Sequence, residues 1–122
     1  MPRDASLLSN PAAARISEHL PFDARRIAES PAAPGVYLLY RGHRLIYIGH
    51  APTGTTIRAR LERHLRGEAG ACTRAATEFD YETSAYPDWL CRHYLAVYLD
   101  ATGGLLPDCN TLEDRLRFAE RA

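Results

Sequence analysis

The sequence predicts an α+β fold: a small three-stranded antiparallel sheet flanked by helices. Three observations lead there. The runs Val36–Tyr40 and Arg44–Ile48 are short and rich in β-branched and aromatic residues, and only Arg41, Gly42 and His43 separate them, so together they read as a hairpin. Thr77–Ser84 sets Phe79, Tyr81 and Thr83 against Glu78, Asp80 and Glu82, the alternation of a half-buried third strand. Ile57, Leu61 and Leu65 recur every four residues, which is one apolar stripe of a helix.

Around that centre each element has a local reason. Residues 1–33 form a helical extension and linker. Asn10-Pro11 starts a helix with proline at its first position, Ile16 and Leu20 share a face, and Pro21 stops it. Asp23 caps a short turn over Ala24–Glu29, and the proline-rich Ser30–Pro34 leads into a core domain spanning 34–110. After the hairpin comes a Gly/Pro/Thr loop, Gly49–Thr56, where Thr55 or Thr56 caps the striped helix; Gly67 and Gly70 end it. Pro87 opens a further helix to about Ala101, with Asp88 in the first turn, where the helix dipole favours an anion. Gly103 and Gly104 close it. Thr111–Arg121, with Leu112, Leu116 and Ala119 on one side, reads as a last amphipathic helix packing on the core.

Composition narrows the function classes. A chain of 122 residues, 46% hydrophobic and 25% charged, supports one modest core and is not disordered. The net charge is zero, so no global electrostatic footprint marks a nucleic-acid binder. All of the basic residues are arginine, however, and Arg58, Arg60, Arg63 and Arg66 crowd into one helix with His64, a local basic face. Cys72, Cys91 and Cys109 are odd in number and lack a Cys-x-x-Cys pair, which argues against a disulfide framework and a Cys-rich zinc site. The N-terminus carries charges throughout and no long apolar run occurs, so the expectation is a cytoplasmic protein with no membrane segment. His19, His43, His50 and His93 show no ligand spacing and read as loop or surface residues. Oligomeric state is not legible.

Four segments, taken in order, resemble the GIY-YIG nuclease superfamily. Gly35-Val36-Tyr37 is similar to its first element with Val for Ile, and Tyr47-Ile48-Gly49 is its second element unaltered. Arg60 and His64, four apart on the striped helix, resemble the superfamily's Arg and His, and Pro107-Asp-Cys-Asn110 resembles its closing Pro-x-x-Asn. The resemblance implies a DNA partner and phosphodiester hydrolysis assisted by Mg²⁺ or Mn²⁺. It implies that Tyr37, beside Tyr47, is the general base or orients the attacking water. A free phenol, with a pKa of about 10, needs help in that role. It implies that Arg60 binds the scissile phosphate, with its fork and fixed charge offsetting the charge that builds up. His64 would steer a water or relay a proton, and Asn110 would close the site by hydrogen bonding. Gly35 and Gly49 serve backbone geometry there, and Arg58, Arg63 and Arg66 add contacts to the nucleic acid. Asn110 also fits a helix cap, with Glu113 completing a capping box.

The chain departs from the superfamily at the metal. A glutamate on the helix after the third strand holds it there, and the counterpart here is Cys91, in Cys91–Tyr98. A thiol is a poor ligand for a hard cation. Asp88, three residues earlier and about 4.5 Å along the axis, is the substitute carboxylate on that face. Two readings follow: a metal-dependent DNA endonuclease, or a nuclease-derived module that binds nucleic acid or a protein without turnover.

Overall fold

The computed structural model describes residues 19–111 together with Glu113 and Asp114. Its elements are β1 (Leu20–Pro21), α1 (Ala24–Ala28), β2 (Gly35–Arg41), β3 (Arg44–Ala51), α2 (Ile57–Leu65), α3 (Ala71–Arg74), β4 (Glu78–Thr83) and α4 (Pro87–Thr102). The α+β class holds, but the sheet has four strands in the order β1-β4-β2-β3, antiparallel at every pairing. The strand missing from the sequence reading is β1, which pairs Leu20 with Phe79 and Pro21 with Glu78. There Pro21 does not stop a helix. It sits in an edge strand, where a residue with no N–H to donate is tolerated. The rest of the expected N-terminal helix lies outside the described residues, as does the C-terminal helix apart from Thr111, Glu113 and Asp114.

The central strand β2 is buried on both faces. Val36, Leu38 and Tyr40 pack with Leu90, Cys91, Tyr94 and Leu95 of α4. Tyr37 and Leu39 face the other way, toward Phe79, Ile27 of α1, and Ile57 and Leu61 of α2. Complete burial of Ile57 and Leu61 stabilises the docking of α2 by about 3–6 kcal/mol before entropy is charged. Thr56 makes the cap of α2, accepting from the Ala59 amide at 3.0 Å, while the Thr55 hydroxyl turns back to the Pro52 carbonyl. Asp23 caps α1 as expected, accepting from the Arg26 amide at 2.9 Å.

The hairpin turns on two residues, Gly42 and His43, both with positive φ (57° and 71°). That conformation matches the right-handed twist of the flanking strands. A bulge follows: Arg41 and Tyr40 oppose Arg44 and Leu45, but Leu39 opposes Tyr47 and Tyr37 opposes Gly49. One extra residue in β3 therefore flips the facing of everything beyond it. Without the bulge Tyr47 would face α4; with it, Tyr47 lies on the α2 face, diagonal to Tyr37. Among the described residues no helix is long and apolar enough to cross a membrane.

Candidate functional site

The tyrosines meet because of that register and because Gly49 has no side chain. A Cβ on Gly49 would stand 2.6 Å from Cζ and 2.7 Å from Oη of Tyr37, and 2.5 Å from Cε2 of Tyr47. The Tyr37 ring therefore lies across the Gly49 backbone, with the two rings 6.1 Å apart at their centroids. Gly35 is equally constrained, since its Cβ would meet the Glu82 carbonyl oxygen at 2.3 Å. That glycine keeps β2 and β4 close.

Helix α2 brings the third ring. His64, 4% exposed, places Nε2 2.8 Å from the Tyr37 hydroxyl and Nδ1 2.7 Å from the hydroxyl of Thr73 in α3. Its centroid is 5.2 Å from that of Tyr47. Thr73, His64, Tyr37 and Tyr47 thus form a row, hydrogen-bonded from Thr73 to Tyr37 and completed by the packed ring of Tyr47. Arg60, one turn before His64, is half-buried and acts electrostatically on Tyr37, Tyr47 and His64; Arg63 acts on Tyr37 and His64.

Burial decides the protonation states. It raises Tyr37 well above the ordinary phenol value, and the neighbouring Tyr47 adds to the effect. Tyr47 is pushed up to about 12, first by burial and then by the carboxylate of Asp114. His64 is lowered to about 4 by burial, then by Arg63 and Arg60. At neutral pH the row is two protonated phenols and a neutral imidazole beside two permanent cations. Such a set receives an anion well. A neutral imidazole within reach of a phenol can also pass a proton, but no member of the row is charged to begin that transfer.

Asn110 lies at the edge of the sheet. Its Oδ1 accepts from the Ile48 amide at 2.9 Å and its Nδ2 donates to the Ile48 carbonyl at 3.0 Å. Cys109 donates its amide to the Ile46 carbonyl at 2.7 Å. The segment therefore satisfies the outward backbone groups of edge strand β3 beside Tyr47. Asn110 does not make the expected capping box with Glu113. The box forms one residue later: the Thr111 amide donates to Asp114 at 2.9 Å and the Asp114 amide to the Thr111 hydroxyl at 3.2 Å.

The remaining expected residues are placed elsewhere. Arg58 donates to the Ser30 carbonyl at 2.9 Å, and Arg66 pairs with Glu68 at 2.7 Å. Asp88 lies 3.6 Å from His50 and lines a separate cleft with Trp89 and Arg92. Cys91, 1% exposed, packs among Val36 and Leu38 on the α4 face, on the other side of the sheet from the tyrosines. His19 is no surface residue: its side chain is 2% exposed, 2.5 Å from Asp80 and stacked on Tyr40.

A divalent cation of the Mg²⁺ or Mn²⁺ kind needs several oxygen ligands. The groups around the tyrosines are phenols, guanidiniums and an imidazole bonded at both nitrogens. Asp114 is the carboxylate acting on Tyr47, and Asn110 and Thr111 already engage it. Among the described residues no group of three His, Cys, Asp or Glu gathers. The donor set does not fit such an ion.

A second feature corrects the sequence reading. Cys72 and Cys109 form a disulfide with their Cα atoms 5.7 Å apart, and Cys91 stays outside it. The sequence hid it because the partners are 37 positions apart and no short cysteine motif marks them. The bond ties the residue before Thr73 to the residue before Asn110. Neither Thr73 nor Asp114 was singled out from the sequence; Thr73 carries no local signal, and the Thr111-x-x-Asp114 spacing was passed over for Asn110 and Glu113. Compared with known proteins, the chain matches no family model, no curated protein and no solved structure.

Proposed function

We propose that this chain is a DNA-binding module with a GIY-YIG-type site, which holds a backbone phosphate against Arg60, Arg63 and Tyr47. One observation carries the reading: the partly exposed Tyr47 phenol, backed by the buried Tyr37–His64 pair, shares one side of the sheet with Arg60 and Arg63 of α2. That cluster donates hydrogen bonds and positive charge, which suits a phosphate oxygen. Arg60 makes no ion pair among the described residues, so its charge is available, whereas Arg63 lies 3.9 Å from Glu68, which also pairs with Arg66. The burial that makes this receptor also keeps Tyr37 protonated, and the expected metal lacks its carboxylate, so binding without turnover is favoured.

The second reading is the metal-dependent endonuclease. The 2.8 Å contact between Tyr37 and His64 favours it, because it offers a route for a proton leaving the phenol.

Binding of a labelled DNA duplex, followed by anisotropy across a salt series, tests the proposal. Two guanidinium contacts give a slope of log K against log[salt] of about −1.8, and Arg60→Ala brings it down to about −0.9. A slope unchanged by Arg60→Ala sinks the phosphate site. Plasmid nicking with Mg²⁺ and Mn²⁺ separates the two readings: nicking that disappears in Arg60→Ala establishes the enzyme, and none is expected.

A further inference from the structure

Two of the most exposed large apolar side chains in the described residues stand together, away from the tyrosines. Tyr86 is 74% exposed and Trp89 is 53% exposed. They flank an open cleft of about 740 Å³ lined also by His50, Asp88 and Arg92. Exposed aromatic surface of this kind marks an interaction site rather than a folding need. Trp89 is held in plane by His93 one helical turn on, with centroids 5.4 Å apart and planes 6° from parallel. The indole is thus oriented before any ligand arrives.

The cleft adjoins the phosphate site through one strand. Gly49 and His50 are consecutive in β3, and β3 is the sheet edge. Gly49 lies under the Tyr37 ring, whereas His50 opposes Val36, whose side chain packs with α4. The two sites therefore lie on opposite faces of the sheet, on either side of this one edge. A chain passing over this edge meets the cations of α2 on one side and the aromatic cleft on the other.

We propose that the Tyr86–Trp89 cleft receives an unstacked base of the DNA whose phosphate is held at Arg60, so that the preferred ligand is single-stranded or locally unpaired DNA. This rests on the nucleic-acid reading above. The indole supplies a stacking face, and every base has a matching π-face. Arg92 and Asp88 supply a donor and an acceptor for the polar edge of the base. A duplex keeps its bases inside and reaches only the phosphate site.

The chain has a single tryptophan, so its fluorescence reports on this cleft alone. A mixed-sequence single-stranded oligonucleotide should quench the emission, with the midpoint given by anisotropy of the labelled oligonucleotide. A blunt duplex, or heparin as a polyanion without bases, should leave it unchanged. Trp89→Ala should weaken single-strand binding by about five- to 100-fold and duplex binding less than twofold, while Trp89→Phe retains most of it. Oligonucleotide binding that depends on Arg60 but neither quenches Trp89 nor responds to Trp89→Ala overturns this proposal and spares the phosphate site. Equal quenching by heparin also overturns it. Failure to bind any DNA removes both readings.

Discussion

His64 accepts or donates at both ring nitrogens inside the protein, and its neutral form is the one the fold selects. Its folded pKa of about 4 lies below the ordinary 6.5. Between those values the unfolded chain binds a proton that the folded chain refuses, so stability is complete above pH 6.5 and falls as pH drops toward 4. The loss attributable to this residue reaches about 3 kcal/mol. Urea unfolding at a series of pH values should show that wild type loses this much more than His64→Gln across the window. Parallel curves would show that His64 titrates normally. Gly49 makes a complementary point about shape. Its missing Cβ is the space the phenols occupy, so Gly49→Ala pushes both rings aside at a cost of about 1–3 kcal/mol. Gly49→Ala should therefore weaken DNA binding at the phosphate site at least as much as Tyr47→Phe does; binding at the wild-type level would mean that the phenol positions are unimportant.

At the level of elements, the hairpin, the α2 stripe and the third long strand were legible because each depends on a pattern within about ten residues. The site was legible only in part. Tyr37, Arg60 and His64 share the α2 face by strand alternation and helical spacing, but Tyr47 joins them only through the bulge. Gly42 and His43 set a two-residue turn whose register alone would turn Tyr47 to α4, and no local signal announces the extra residue in β3. Strand β1 was hidden by Pro21, whose ordinary meaning is a helix stop. Asn110 shows the same limit from the other side: its spacing suggested a helix cap, yet its amide works as a one-residue partner for an edge strand, which depends on contacts 62 residues apart. Asn110→Ala leaves the Ile48 amide and carbonyl without their partners. The expected cost is about 2–3 kcal/mol, two buried backbone bonds with little access for water to replace them. Amide hydrogen exchange should locate the damage: Ile48 should lose protection while Leu38, in the central strand, keeps it. Uniform loss across the sheet would mean that Asn110 supports the whole fold and not this edge.

At the level of the whole molecule, the disulfide joins the two segments that orient the site. Cys72 precedes Thr73, which fixes His64, and Cys109 precedes Asn110, which covers β3 beside Tyr47. Neither segment belongs to the packed sheet, and α3 has only four residues to hold it in place. The cross-link therefore does for this corner what hydrophobic burial does for α2 and α4. Closing a loop with a sequence separation of 37 restricts the unfolded chain, and removing the bond costs about 2–4 kcal/mol. Thiol titration of the denatured, unreduced protein should find one reactive cysteine, Cys91, rising to three after reduction. Reduction and Cys72→Ser should then lower the stability by the same amount, and reduction should have no further effect on Cys72→Ser. The His64 pKa should move back toward 6.5 in both, because α3 is no longer held over its ring and water reaches it. Three reactive thiols before reduction, or a His64 titration indifferent to the bond, would separate the cross-link from the site it brackets.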